Sequence, residues 1–190
     1  MSKGFLKNGL FAVLLVAVAS PVWAVPTSKT CLDTLDRFRK LEETNSFLSQ
    51  AVGYAILPTI GKGGIGIGGA YGEGCVFKGG ERTGAVKMGQ VTIGLQFGGQ
   101  AYSQLIVFKS QDAYDAFTSG SFEFGADASA VALTYGAQAG AGTKGASASA
   151  NETSGGAQWY RGMAVFTLAK GGLMYEATIG GQKFEFMPGE

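Results

Sequence analysis

The chain contains no histidine. That removes at once the commonest general base and the commonest metal ligand. Only two cysteines are present, Cys31 and Cys75, too few for a four-ligand zinc site without histidine. Charge is scarce as well. Asp, Glu, Lys and Arg make up 15% of 190 residues and nearly cancel, to a formal net charge of +1, so no long-range field gathers nucleic acid. There is no G-x-S-x-G elbow, no G-x-x-x-x-G-K-[ST] phosphate loop and no carboxylate cluster with calcium-loop spacing. The sequence therefore offers no catalytic residue, no metal ligand and no cofactor motif, and it reads as a non-enzyme.

What is abundant is glycine, with 32 residues against a usual share of about 7%. The every-third-residue glycine of collagen is missing, and 13 Phe with 7 Tyr argue against disorder. At this length, with 46% hydrophobic residues, one domain with a full core is expected. Gly-rich, aromatic-rich and poor in charge, the composition points to a mainly β domain with many tight turns.

The N-terminus reads as a secretory signal peptide. Lys3 and Lys7 precede the apolar run Leu10 to Ser20, then Pro21 and the small-residue site Val22-Trp23-Ala24. Cleavage after Ala24 is expected, leaving residues 25–190 as a single domain in the periplasm, free or associated with an envelope membrane. The apolar run is well short of the ~20 residues that span a bilayer. Removing Lys3 and Lys7 from the 15 basic side chains leaves 13 against 14 acidic ones, a net charge of −1. An oxidising compartment permits a Cys31–Cys75 disulfide, which would stabilise by about 3–4 kcal/mol in the chain-entropy model. The alternative, two buried free thiols, stays open at this point.

Cys31 to Glu43 places Leu32, Leu35, Phe38 and Leu41 at helical spacing, and a shorter helical turn is expected at Ser46 to Ala51. "GYAILP" reads as a short buried strand ended by Pro58. Strands continue through "GGIGIGGAYG", "GCVF", "GAVKMGQVTIGLQFGG" and "QAYSQLIVFK". Ser110 looks like the N-cap of a central helix closed by Gly120, with Asp112 in its first turn. The small-residue stretch after Gly125 is expected to end in an exposed hairpin tip, and "AQWYRGMAVFTLAKGGLMYEATIGGQKFEF" to form two or three strands. The fold class is α+β, mainly β: a flattened antiparallel sheet or barrel-like domain with an N-terminal helix and one short central helix.

Ten glycines fall between Gly61 and Gly80, and Gly61 to Gly66 satisfies a G-x-G-x-x-G spacing. A dinucleotide fingerprint must open a helix. Here the glycines run on through Ile65, Ile67 and Tyr71, each costing about 1 kcal/mol in a helix. They fit better where strands bend, bulge or let another backbone approach closely.

The run "VGYAILPTIGKGGIGIGGAYGEGCVF" followed by "VTIGLQFGGQAYSQLIVFKSQDAYDAF" resembles the SYLF domain, also called the domain of unknown function 500. The resemblance is carried by Ile56-Leu57-Pro58, the stretch Lys62 to Gly74, Gly94-Leu95-Gln96-Phe97-Gly98, the strand Leu105 to Phe108 and the helix Asp112 to Phe117. Its order and spacing extend over roughly Thr30 to Met187. The segment Ala169-Lys170-Gly171-Gly172-Leu173 matches only in part, with Met174 where an aromatic is expected. The resemblance implies lipid binding. Eukaryotic relatives bind phosphoinositides and yeast relatives also regulate actin, neither of which an exported bacterial protein would meet.

What carries over is the capacity to accept phospholipid or a membrane surface. Between Gly53 and Ser110 the cations Lys62, Lys78, Arg82, Lys87 and Lys109 face only Glu73 and Glu81. These cations are the candidate headgroup ligands, with Ile65, Ile67, Tyr71, Phe77 or Phe97 as apolar contacts. For each, the plainer reading is a solvated lysine or a core side chain. The first helix, with Arg37, Arg39 and Lys40 beside its apolar face, either packs on the sheet or lies on a membrane. Two rival classes stand beside the lipid-binding module: a small outer-membrane β-barrel and an envelope enzyme acting on lipid or glycan. The sequence names no protein partner.

Overall fold

The computed structural model describes residues 25–94, 99–125, 128, 130–133, 158–170 and 179–189. Its elements are α1 (Ser28–Arg39), α2 (Glu42–Leu48), β1 (Gly53–Lys78), β2 (Glu81–Gly94), β3 (Gly99–Phe108), α3 (Gln111–Thr118), β4 (Ser121–Glu123), β5 (Val131–Leu133), β6 (Met163–Ala169) and β7 (Lys183–Pro188). The strands form one sheet in the order β4-β7-β2-β1-β3-β6-β5. All pairings are antiparallel except β5 with β6. The sheet curls into a half-barrel, mainly β with three helices among the described residues, in the mainly β class that the sequence implies.

Local chemistry places the helices. Thr27 caps α1, its side chain accepting from the Thr30 N–H. The helix ends at Arg39, four residues earlier than expected, because the next residues take up its carbonyls. The Thr44 hydroxyl donates to Phe38 O and to Leu41 O, and Asn45 Nδ2 donates to Arg39 O at 2.7 Å. That exchange turns the chain and starts α2 at Glu42, ahead of the expected turn at Ser46. Ser110 caps α3 as expected, accepting from the Ala113 N–H. Gly120 beyond it has φ 124°, which only glycine adopts freely.

β1 differs most from its reading. Pro58 does not end the strand. Its missing N–H falls in a bulge between Leu57 and Ile60, where the pairing with β3 shifts register. The Pro58 carbonyl is satisfied by the Ser103 hydroxyl at 2.8 Å. The first half of β1, Gly53 to Gly63, pairs with β3, and the second half, Gly66 to Lys78, pairs with β2. Between them the chain turns back on itself. A Cβ on Gly64 would lie 2.3 Å from Gly68 Cα, one on Gly72 2.9 Å from Thr59 O, one on Gly74 2.2 Å from Ile56 O, and one on Gly53 2.6 Å from Phe77 O. The two halves therefore lie backbone against backbone with no room for side chains between them. Gly61 to Gly74 is strand throughout, and no helix opens there to receive a pyrophosphate.

Each face of the sheet carries its own core. On one, Leu57, Ile60, Val86, Met88, Ile106 and Phe108 pack with Tyr114 and Phe117 of α3 and with Phe124 and Phe184. On the other, α1 and α2 cover Ile56, Phe77, Leu105, Val107, Phe166 and Leu168, using Leu35, Phe38, Leu41, Phe47 and Leu48. Leu35 and Phe38 of α1 are thus buried on the sheet, while Leu32 is left 39% exposed. Cys31 of α1 is bonded to Cys75 of β1, with Cα atoms 6.2 Å apart and a sequence separation of 44; a loop of that length corresponds to about 4 kcal/mol. No described helix is long and apolar enough to cross a membrane.

The glycine contacts generate a paired prediction. Gly74→Ala drives its Cβ into Ile56 O and is expected to destabilise by about 2–3 kcal/mol. Gly89→Ala, where a Cβ meets nothing within 4 Å, should shift stability by less than about 0.5 kcal/mol. Chemical denaturation of both variants checks the contrast.

Candidate functional site

Side chains alternate along β1, so Ile67, Gly69, Tyr71, Glu73, Cys75 and Phe77 share one face. Their β2 partners are Ile93, Val91, Gly89, Lys87, Ala85 and Arg82. β7 widens the same face, with Glu185 opposite Lys87 and Lys183 opposite Gly89. At the Cys75–Phe77 end α1 lies on this face and buries it. Towards the bend the cover stops: Ile67 is 70% exposed, Val91 78% and Tyr71 37%. Two β-branched side chains and a tyrosine stand open side by side, next to Lys87 and Lys183 on neighbouring strands. Lys183 lies 3.6 Å from Glu123 in an exposed pair, which contributes little.

Tyr71 and Glu73 form the polar edge of the open patch. The Tyr71 hydroxyl donates to Glu73 Oε1 at 2.6 Å. That hydrogen bond to the carboxylate, ahead of burial and of the Glu73 charge, pushes the Tyr71 pKa up to about 12. Glu73 is only 7% exposed, and its other oxygen, Oε2, is buried without a hydrogen-bond partner.

The five candidate cations do not gather into one patch. Lys87 alone shares the open face with Ile67 and Tyr71. Arg82 is on that face at its covered end, where Nη1 donates to Ser28 Oγ at 3.1 Å and Nε to Gly84 O at 3.3 Å. Lys78 is on the opposite face, its Nζ 4.9 Å from the centre of the Tyr114 ring. Lys109 sits over Trp159 at 5.4 Å. Lys62, half-buried, stands opposite Gln100 two residues before the bend region at Gly64. Of the apolar candidates, Ile67 and Tyr71 are exposed, while Phe77 is buried under α1 and stacked on Tyr54. Phe97, the side chain of Ile65, the hairpin tip expected at the end of the small-residue stretch after Gly125 and the segment 171–178 lie outside the described residues.

Val91 and Lys183 complete the patch and went unremarked in the sequence. The alternation of Val91 and Ile93 marks a strand, but only the register with Gly69 and Ile67 shows which face Val91 takes. Lys170 belongs to the segment that matches the family pattern only in part, and is not among the candidate cations. Its Nζ donates to Thr59 Oγ1 at 2.5 Å, and burial, then the charge of Arg37, lowers its pKa. Among the described residues no group of three His, Cys, Asp or Glu could hold a metal ion.

Residues 89–186 match the family model Ysc84, described as Las17-binding protein actin regulator. The chain belongs to the Ysc84 family. This is the SYLF domain to which the sequence motifs point. The match begins within β2 and ends within β7, so the folded-back β1 precedes it. No curated protein matches the chain.

The Tyr71–Glu73 bond is testable by titration. Spectrophotometric titration of the wild type minus Tyr71→Phe should show the Tyr71 phenolate forming only near pH 12, and near pH 10 when Glu73→Gln is added to both. The raised pKa favours the neutral phenol in the folded state. Its contribution to stability is full below pH 10 and is lost as pH climbs from 10 to about 12.

Proposed function

We propose that this Ysc84-family protein binds phospholipid at a membrane surface of the bacterial envelope, without catalysis, after export and removal of residues 1–24. The family is associated with lipid binding and with actin regulation, as a binding domain rather than an enzyme. An exported protein has no actin to regulate, so lipid binding is the property that transfers. The observation that carries the reading is the open end of the β1–β2 face. Ile67 and Val91 are exposed next to Tyr71 on a face that α1 otherwise covers.

The physics of an interface fits that patch. Burying apolar surface gains about 25 cal/mol per Å², and two nearly bare β-branched side chains have most of theirs to bury. A tyrosine with an apolar ring and a polar tip suits the headgroup level. Lys87 and Lys183 beside them, and Lys62 near the bend, each gain about 1 kcal/mol close to an anionic lipid surface. Glu73 and Glu185 temper that attraction, so binding should be weak and salt-dependent.

Co-sedimentation of the processed protein with anionic vesicles tests the proposal. At low salt the wild type should pellet with vesicles, and Ile67→Asp/Val91→Asp should lower the partition about tenfold or more. Wild-type protein that stays wholly in the supernatant, or a double variant that pellets equally, contradicts it.

A further inference from the structure

Glu73 poses a problem that the binding patch does not resolve. A carboxylate this buried is stable only when paired or fully hydrogen-bonded. Tyr71 satisfies Oε1, but Oε2 has nothing. The charged groups that share its face are Lys87, directly opposite on β2, and Glu185 beyond it on β7. Tyr71, two residues towards the bend, is 37% exposed, whereas Cys75, two residues the other way, is buried under α1.

On that side lies the beginning of the mature chain. Ser28 is held by Arg82, whose β2 position faces Phe77. The Pro26 and Thr27 carbonyls lie 3.6 and 3.8 Å from Cys75 Sγ. Pro26 and Thr27 therefore lie over Cys75. Val25 directly precedes Pro26, and the side chain next to Cys75 on that face of β1, towards the bend, is Glu73. The disulfide fixes the start of α1 on this face and so fixes where Val25 can reach.

We infer that Glu73 is the receptor for the α-ammonium group created when residues 1–24 are removed. The inference rests on the export reading above. Hydrolysis of the Ala24–Val25 peptide bond by an envelope signal-cleaving protease consumes one water. Its hydroxyl goes to the Ala24 carboxyl and its proton to the Val25 nitrogen, which at neutral pH takes up a second proton. In the precursor that nitrogen is a neutral amide and cannot balance a carboxylate. In the mature chain it is a cation at the end of a short tether, 42% exposed at its own residue, and able to swing onto Oε2. Processing would thereby lock the first residues of α1 against β1 and order the margin of the lipid-facing patch at Tyr71.

The test uses the exported, processed protein. Intact mass establishes its first residue, and a limiting amine-reactive ester near neutral pH measures how fast the α-amine labels, read from the N-terminal peptide. An ammonium paired with Glu73 has a raised pKa, and one unit leaves about a tenth of the reactive free base. The wild type should therefore label about tenfold more slowly than Glu73→Gln. It should also label about tenfold more slowly when folded than when unfolded in denaturant, a comparison that stands if the variant does not fold. Val25 as first residue with equal labelling in every form overturns the pairing and leaves export intact. A different first residue overturns the export premise and the pairing with it.

Discussion

The structure depends on one steric constraint, the backbone of β1 lying directly on itself. Gly72 and Gly74 face Thr59 and Ile56 at distances where any side chain collides, and Gly53 faces the Phe77 carbonyl in the same way. Because the two halves return past one another, the first half offers its pairing to β3 and the second to β2. The sheet is continuous through β1 yet strongly curled, and its remaining strands follow from those two pairings, β6 and β5 beyond β3, β7 and β4 beyond β2. Glycine is needed here for closeness, not for cradling an anion.

The same constraint sets the site. The bend brings Ile67 to an end of the sheet that no described helix covers. The Cys31–Cys75 bond pins α1 further down the same face, so the boundary between covered and open falls between Cys75 and Tyr71. Buried Glu73 sits on that boundary. The proposed lipid contact rests on this apolar, cation-flanked end of a sheet that carries a core on each face. Lysines that the curl sends elsewhere find aromatic partners, Lys78 on Tyr114 and Lys109 on Trp159.

Much of this was legible in the chain. Helical spacing from Cys31 to Leu41, the Ser110 cap and period-two alternation gave the helices and the mainly β class. The family emerged from the order of its motifs. What failed did so for non-local reasons. Pro58 reads as a strand end because a lone strand cannot reveal a bulge opposite Ser103. The early stop of α1 depends on Thr44 and Asn45 reaching back for its carbonyls. Alternation shows that Lys78 and Lys87 lie on strands, but their faces follow from the register shift at Val76/Phe77 and the return of β1. Hence a row of cations close in sequence divides between two faces, and Val91, which looks like core, stands in solvent.

The central claim, that the bend end of β1 enters lipid, is tested most directly by depth. A tryptophan placed at Ile67, and in a second protein at Glu81 beside the turn at the other end of the β1–β2 pair, can be read by its emission and its quenching by brominated lipids in anionic vesicles. The account predicts a blue shift and strong quenching at position 67 and neither at position 81. Equal, negligible responses at both positions, or a response at 81 alone, would contradict it.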